Sequence, residues 1–218
     1  MHAQVVLFDG FDPLDVVAPY EVLYAGGAAS AGGVTVELVS AEGPREVTSG
    51  TRGLTLTATA RLDPERTDLV LVPGASGRSS DDAPGDEESI PVLLGRTLET
   101  ELPGLLGAAL ERADVTVAAV CGGSLVLAMA GLIEGRPATT HHLGMDLLDA
   151  TGARAVSARI VDDGDLVTGA GVTSGLDLAL YLLEREVGPM VAHAVEQLFA
   201  HERRGVVWRA DGPVPAAL

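Results

Sequence analysis

A run of apolar residues that stops abruptly at a cysteine sets the tightest limit on how this chain folds. Residues 115–120 (VTVAAV) have the β-branched and small side chains of a buried strand. Cys121-Gly122-Gly123-Ser124 follows at once, and then an apolar stretch of helical length at residues 125–133. A strand that turns into a helix without a loop must hold its junction residue in a strained conformation, with small neighbours to avoid clashes. Gly122 and Gly123 supply them. Cys121 then points into a crevice beyond the sheet, where the amides of the helix amino terminus lower its pKa. A lone cysteine is commonly a buried, inert residue. The elbow setting favours a nucleophile instead.

The rest of the chain repeats the alternation of strand and helix. Strand-like runs fall at residues 4–8, 34–40, 68–72 and 138–140, with a strand pair near 155–161 and 165–168. Residues 45–59 carry β-branched residues on either side of Ser49-Gly50, a hairpin pattern. Helical patterns cover 14–24, 143–150, 173–186 and 189–201, and 90–112 with an interruption near Pro103-Gly104. Residues 26–33, rich in glycine, are expected to break the first helix. Residues 78–89 read as an exposed polar loop and 202–218 as a short tail, leaving a core of about 4–201 in a single domain. Buried strands without strict alternation, separated by helices, predict a doubly wound, mostly parallel α/β sheet. Ligands bind such sheets beyond the carboxyl ends of the strands. Those ends carry Asp12 and Asp15, Pro73–Gly77, Cys121–Ser124 and Gly169–Gly171.

Composition narrows the chemistry. One cysteine excludes an intrachain disulfide and a multi-cysteine zinc site, and no HExxH-type pattern is present, so no metal is expected. All 14 basic residues are arginine, which removes lysine Schiff-base and P-loop chemistry. A net charge of −17 repels nucleic acid and anionic membranes. No apolar run approaches the ~20 residues needed to span a bilayer, and no basic region precedes the first apolar stretch. A soluble cytoplasmic protein acting on a small molecule is expected.

Around Cys121 the residues leave several roles open. Asp15 and Glu21 are the acids nearest the first strand's end, either able to exchange a proton with a thiol or a substrate. Spacing does not choose between them. The Pro73–Gly77 turn lets backbone amides approach a ligand as an oxyanion pocket, or is a plain turn. His141, after a short strand, is a candidate base or a histidine tucked into the fold.

Taken together these motifs resemble the ThiJ/PfpI superfamily, and within it the isocyanide (isonitrile) hydratase branch. The match is carried by Leu14-Asp15, Pro19, Glu21-Val22-Leu23, Val72-Pro73-Gly74, and the run from Val120-Cys121-Gly122-Gly123-Ser124 to Leu127. It continues through Ala138-Thr139-Thr140-His141 and Gly169-Ala170-Gly171-Val172-Thr173-Ser174-Gly175-Leu176-Asp177. The resemblance implies a flavodoxin-like fold, a homodimer with the site near its interface, and no organic cofactor or metal. It implies Cys121 as the nucleophile that adds to the isocyanide carbon and Asp15, rather than Glu21, as the acid/base. It also implies that the Gly74, Ala75 and Gly122 amides line the substrate pocket, with the Gly171-Val172 backbone beside the sulfur.

Gly122 departs from the hydratase pattern, which places threonine after the cysteine, and from the peptidase-like branch, which places histidine there. Ala119 removes the G-x-C-x-G motif of class I glutamine amidotransferases. A regulator of the AraC type would need a helix-turn-helix domain beyond this sequence. Two rivals remain: a glyoxalase or deglycase acting on reactive carbonyls, for which His141 is the discriminating residue, and a redox sensor in which Cys121 oxidises reversibly.

Overall fold

The computed structural model describes residues 1–78 and 89–212; most of the expected polar loop, 79–88, and the end of the tail, 213–218, lie outside the described residues. In chain order the elements are β1 (His2–Val6), α1 (Pro13–Ala29), β2 (Thr35–Ser40), β3 (Arg45–Thr48), β4 (Thr55–Ala58), β5 (Ala60–Arg61) and β6 (Leu69–Val72). They continue with α2 (Ile90–Arg96), α3 (Leu102–Leu110), β7 (Thr116–Val120), α4 (Gly123–Met129), β8 (Pro137–Ala138) and α5 (Met145–Ala150). The remainder are β9 (Arg154–Ala155), β10 (Ile160–Asp162), β11 (Leu166–Gly169), α6 (Ser174–Glu186), α7 (Pro189–Phe199) and β12 (Trp208–Arg209).

Eight strands form one sheet in the order β12-β10-β11-β7-β6-β1-β2-β5, parallel throughout except for the β10–β11 pair. The helices α1, α6 and α7 pack together, while α4 packs with α2, α3 and α5. Strands covered on both faces have no solvent side to mark with polar residues, hence the unbroken apolar runs LVLV in β6 and TVAAV in β7. The expected hairpin is a separate antiparallel pair, β3 with β4, closed by a longer loop than Ser49-Gly50.

Four expectations shift. The glycines at 26 and 27 do not end α1, which runs on to Ala29. A β-carbon on Gly26 would lie 2.5 Å from Leu183 Cδ2 of α6, so this glycine permits close helix packing rather than a break. The interruption in 90–112 falls at residues 97–101, upstream of Pro103. Pro103 sits in the first turn of α3, where its missing N–H costs nothing. The strand expected at 138–140 shortens to Pro137–Ala138, which pairs with β9 in a separate two-stranded sheet. Trp208 and Arg209, in the expected tail, add β12 to the sheet edge beside β10.

Candidate active site at the Cys121 elbow

The central strands β1, β6, β7 and β11 all deliver their carboxyl ends to the same edge of the sheet. At the end of β7 the main chain enters α4 through Cys121, whose φ of +56° is the left-handed conformation that costs a non-glycine residue of order 1 kcal/mol or more. Hydrogen bonds hold it there. Cys121 N donates to Gly169 O at 3.0 Å, and the Cys121 carbonyl accepts from Thr140 Oγ1 at 2.7 Å and Ser124 Oγ at 3.2 Å. Gly123, in the following turn, has no room for a side chain: a β-carbon there would stand 2.1 Å from Val72 O. Cys121 is 7% exposed.

Asp15 reaches the same point from the first turn of α1. Asp12 caps that helix, its Oδ1 accepting from Leu14 N at 2.9 Å, with Pro13 first in the helix. The turn after β1 is stitched to the turn after β6, since Asp12 N donates to Gly74 O at 2.8 Å and Gly74 N donates to Asp15 Oδ2 at 2.9 Å. A β-carbon on Gly74 would lie 2.6 Å from Gly122 N and 2.8 Å from Asp15 Oδ2, which shows how closely the three segments meet. Asp15 is fully buried, and its second oxygen, Oδ1, has no hydrogen-bond partner among the described residues. Burial, with Asp12 adding to it, pushes the carboxyl up to about 8 against the opposing pull of the Gly74 amide.

The thiol's electrostatics reverse the sequence expectation. Burial pushes the Cys121 thiol up, and the Asp15 carboxylate pushes it further; the Gly122 amide pulls the other way and loses. The helix-terminus effect that argued for an acidic thiol is outweighed because the elbow lies inside the protein. One negative charge is all the Asp15–Cys121 pair can carry near neutral pH.

The other candidates divide. Glu21 is exposed on α1 and does not join the site. Gly74 is beside it, but its amide is committed to Asp15 rather than open to a ligand. Ala75 is buried and bridges Phe11, and Gly122 packs against Leu94, whose Cδ1 would be 3.2 Å from a β-carbon there. Gly171 and Val172 form the half-buried turn between β11 and α6. His141 is also half-buried; its Cδ2 would be 3.5 Å from a β-carbon on Gly171, and its Nδ1 accepts from Leu143 N at 3.3 Å. Burial and the neighbouring His142 lower its pKa, which favours a neutral ring. Sequence reasoning missed Thr140 and Ser124 as supports of the elbow, although Thr140 stands within the Ala138–His141 motif. A cavity of about 940 Å³ opens next door; Leu93 lines it while the adjacent Leu94 faces Gly122, and Cys121 is not in its lining.

Among the described residues there is no group of three or more histidine, cysteine or acidic side chains arranged to hold a metal, and no helix is long and apolar enough to cross a membrane. The family model for the DJ-1/PfpI family matches residues 1–185.

The chain belongs to the DJ-1/PfpI family. It is 36% identical over 192 residues to the isonitrile hydratase of Pseudomonas putida, an alignment covering 88% of this chain and 74% of the relative. With the protein DJ-1 homolog A of Arabidopsis thaliana it shares 29% identity over 191 residues, 87% of this chain but 44% of that protein. Among solved structures, a ThiJ/PfpI family protein from Pseudomonas syringae superposes with a TM-score of 0.75 at 25% identity, covering 94% of this chain and 76% of the other.

Proposed function

We propose that this DJ-1/PfpI protein is a cysteine-dependent hydratase that adds water to a small isocyanide to give an N-substituted formamide, without metal or organic cofactor. The observation that carries the reading is the pairing of a strained cysteine with a fully buried acid whose charge acts on its thiol. The 36% identity to an isonitrile hydratase supports the choice of reaction.

Chemistry starts from the pair holding one proton, on sulfur, with Asp15 as the carboxylate that takes this proton as the thiol attacks. The sulfur bonds to the terminal isocyanide carbon while Asp15 gives its proton to that carbon, forming the thioimidate R–N=CH–S–Cys121. An isocyanide carbon accepts both a nucleophile and a proton, so no separate oxyanion forms and the commitment of the Gly74 amide to Asp15 costs nothing. Asp15, now a carboxylate, takes a proton from water as its oxygen bonds to the same carbon, and that proton passes to nitrogen. The C–S bond then breaks with its electron pair returning to sulfur, and the hydroxyl proton returns to the pair as R–NH–CHO leaves. Ala75, Gly122, Gly171 and Val172 line the substrate's approach, with Gly74 holding the acid. We take the chain as one cytoplasmic catalytic domain that works as a homodimer, for which Leu14, Val17 and Tyr24 on the outer face of α1, 48%, 37% and 67% exposed, offer an apolar contact.

The test is an assay of purified protein against a small alkyl isocyanide, with methylglyoxal in parallel and Cys121→Ser as control. Formamide production that disappears in Cys121→Ser is the expected result. Turnover of methylglyoxal alone would replace the hydratase reading with carbonyl chemistry at the same thiol.

A further inference from the structure

The turn that carries Gly171 and Val172 is gripped at both ends by one residue, and that residue lies outside the site just described. Ala170 N donates to Arg159 O at 2.9 Å. From the other side the Arg159 guanidinium reaches round the turn, Nη2 donating to Thr173 O at 3.0 Å and meeting Thr173 Oγ1 at 3.4 Å. Its aim is fixed by Asp177, fully buried in the first turn of α6, which accepts from Arg159 Nε at 2.7 Å and also from Nη2. The other oxygen of Asp177 accepts from Arg204 N at 2.8 Å and faces His201 Nε2 at 3.3 Å.

The same stretch braces the opposite wall. Ala158 O accepts from Thr139 Oγ1 at 3.0 Å, next to the Thr140 whose hydroxyl holds the Cys121 carbonyl. Residues 158 and 159 therefore tie together both segments that flank the elbow: 139–141 on one side, and on the other the turn after Gly169, whose carbonyl binds Cys121 N. We propose that Arg159 is a positioning residue that clamps the Gly171–Val172 turn against the Cys121 elbow, so that the turn closes one wall of the substrate path. The proposal rests on the reading above in placing the reacting sulfur beside that turn.

A guanidinium serves a carboxylate and a carbonyl at once because its donors form a rigid planar fork; a lysine ammonium is a point charge and does not reproduce that geometry. Arg159→Lys therefore keeps a cation for the buried Asp177 but releases Thr173. Two readouts are taken on the folded variant: kcat/KM for a small alkyl isocyanide, and the rate of Cys121 alkylation by iodoacetamide at pH 8. We expect the melting temperature to change by only a few degrees, kcat/KM to fall about tenfold or more, and alkylation to speed up severalfold as the turn opens. Arg159→Ala should show the same changes more strongly, with millimolar guanidinium ions restoring slow alkylation. An Arg159→Lys protein with wild-type alkylation and turnover overturns the clamp. So does an Arg159→Ala protein that loses only thermal stability. If wild type turns over no isocyanide, the hydratase reading fails alone, because the alkylation comparison still tests the clamp.

Discussion

Burying a carboxyl beside a thiol is costly unless one of them stays protonated, and Asp15 shows which way the balance falls. Desolvation outweighs the hydrogen bonds from Gly74 and from the Cys121 side chain, so the folded-state value of about 8 stands above the unfolded 3.8. The folded chain therefore binds more protons than the unfolded chain between those values. The stability contributed by neutral Asp15 is complete below about pH 4 and is lost as pH rises through about 8, a swing on the order of 5 kcal/mol at ~1.4 kcal/mol per unit. Asp15→Asn cannot ionise, so its melting temperature should exceed that of wild type at pH 9 and lose the advantage at pH 5. Equal pH dependence in the two proteins would show that Asp15 does not titrate in the fold. The same ionisation controls the thiol, because a carboxylate is the base that can take its proton. Iodoacetamide labelling of Cys121 should rise through an inflection near pH 8 in wild type, and Asp15→Asn should abolish that inflection.

At the scale of elements, the elbow is the most legible part of the chain. An apolar strand ending in Cys-Gly-Gly-Ser predicts a strained strand-to-helix junction, and the left-handed φ of Cys121 agrees with it. What supports the elbow is less legible, since Thr140 and Ser124 are ordinary hydroxyl residues until the folded chain turns them toward the Cys121 carbonyl. Glycines mislead for a related reason: Gly26 reads as a helix end, yet it is there for contact with Leu183, a partner 157 positions away in sequence. Pro103 likewise marks the beginning of α3 and not the break itself. Gly122 adopts helical angles, φ −68° and ψ −5°, so a β-branched residue meets no backbone penalty there. Its β-carbon would press on Leu94 Cδ1 at 3.2 Å, the end of a side chain that can rotate away. Gly122→Thr should thus fold, with a loss of at most ~1–2 kcal/mol in stability. Isocyanide turnover should hold or rise. A folded Gly122→Thr protein that loses isocyanide turnover but acts on another electrophile would move the site toward carbonyl chemistry.

Across the whole molecule, the parallel sheet is what brings residues 15, 74, 121 and 169 to one place, because strands running the same way deliver their loops to the same edge. That convergence is foreseeable from the alternation of apolar runs with helices. The thiol's electrostatics are not, because they depend on how deeply the elbow is buried, and no single segment of sequence encodes depth. Spacing likewise does not choose Asp15 over Glu21: the family resemblance favours Asp15, and the packing of α1 gives the physical reason by burying one and exposing the other. The central claim is that Cys121 forms a covalent bond to the substrate carbon. Rapid-quench mass spectrometry of the intact protein with a small alkyl isocyanide tests it most directly. The account predicts an adduct equal in mass to one isocyanide, located on the Cys121 peptide, formed much more slowly in Asp15→Asn and missing in Cys121→Ser. Formamide released at the same rate by Cys121→Ser, with no adduct at any quench time in wild type, would contradict it.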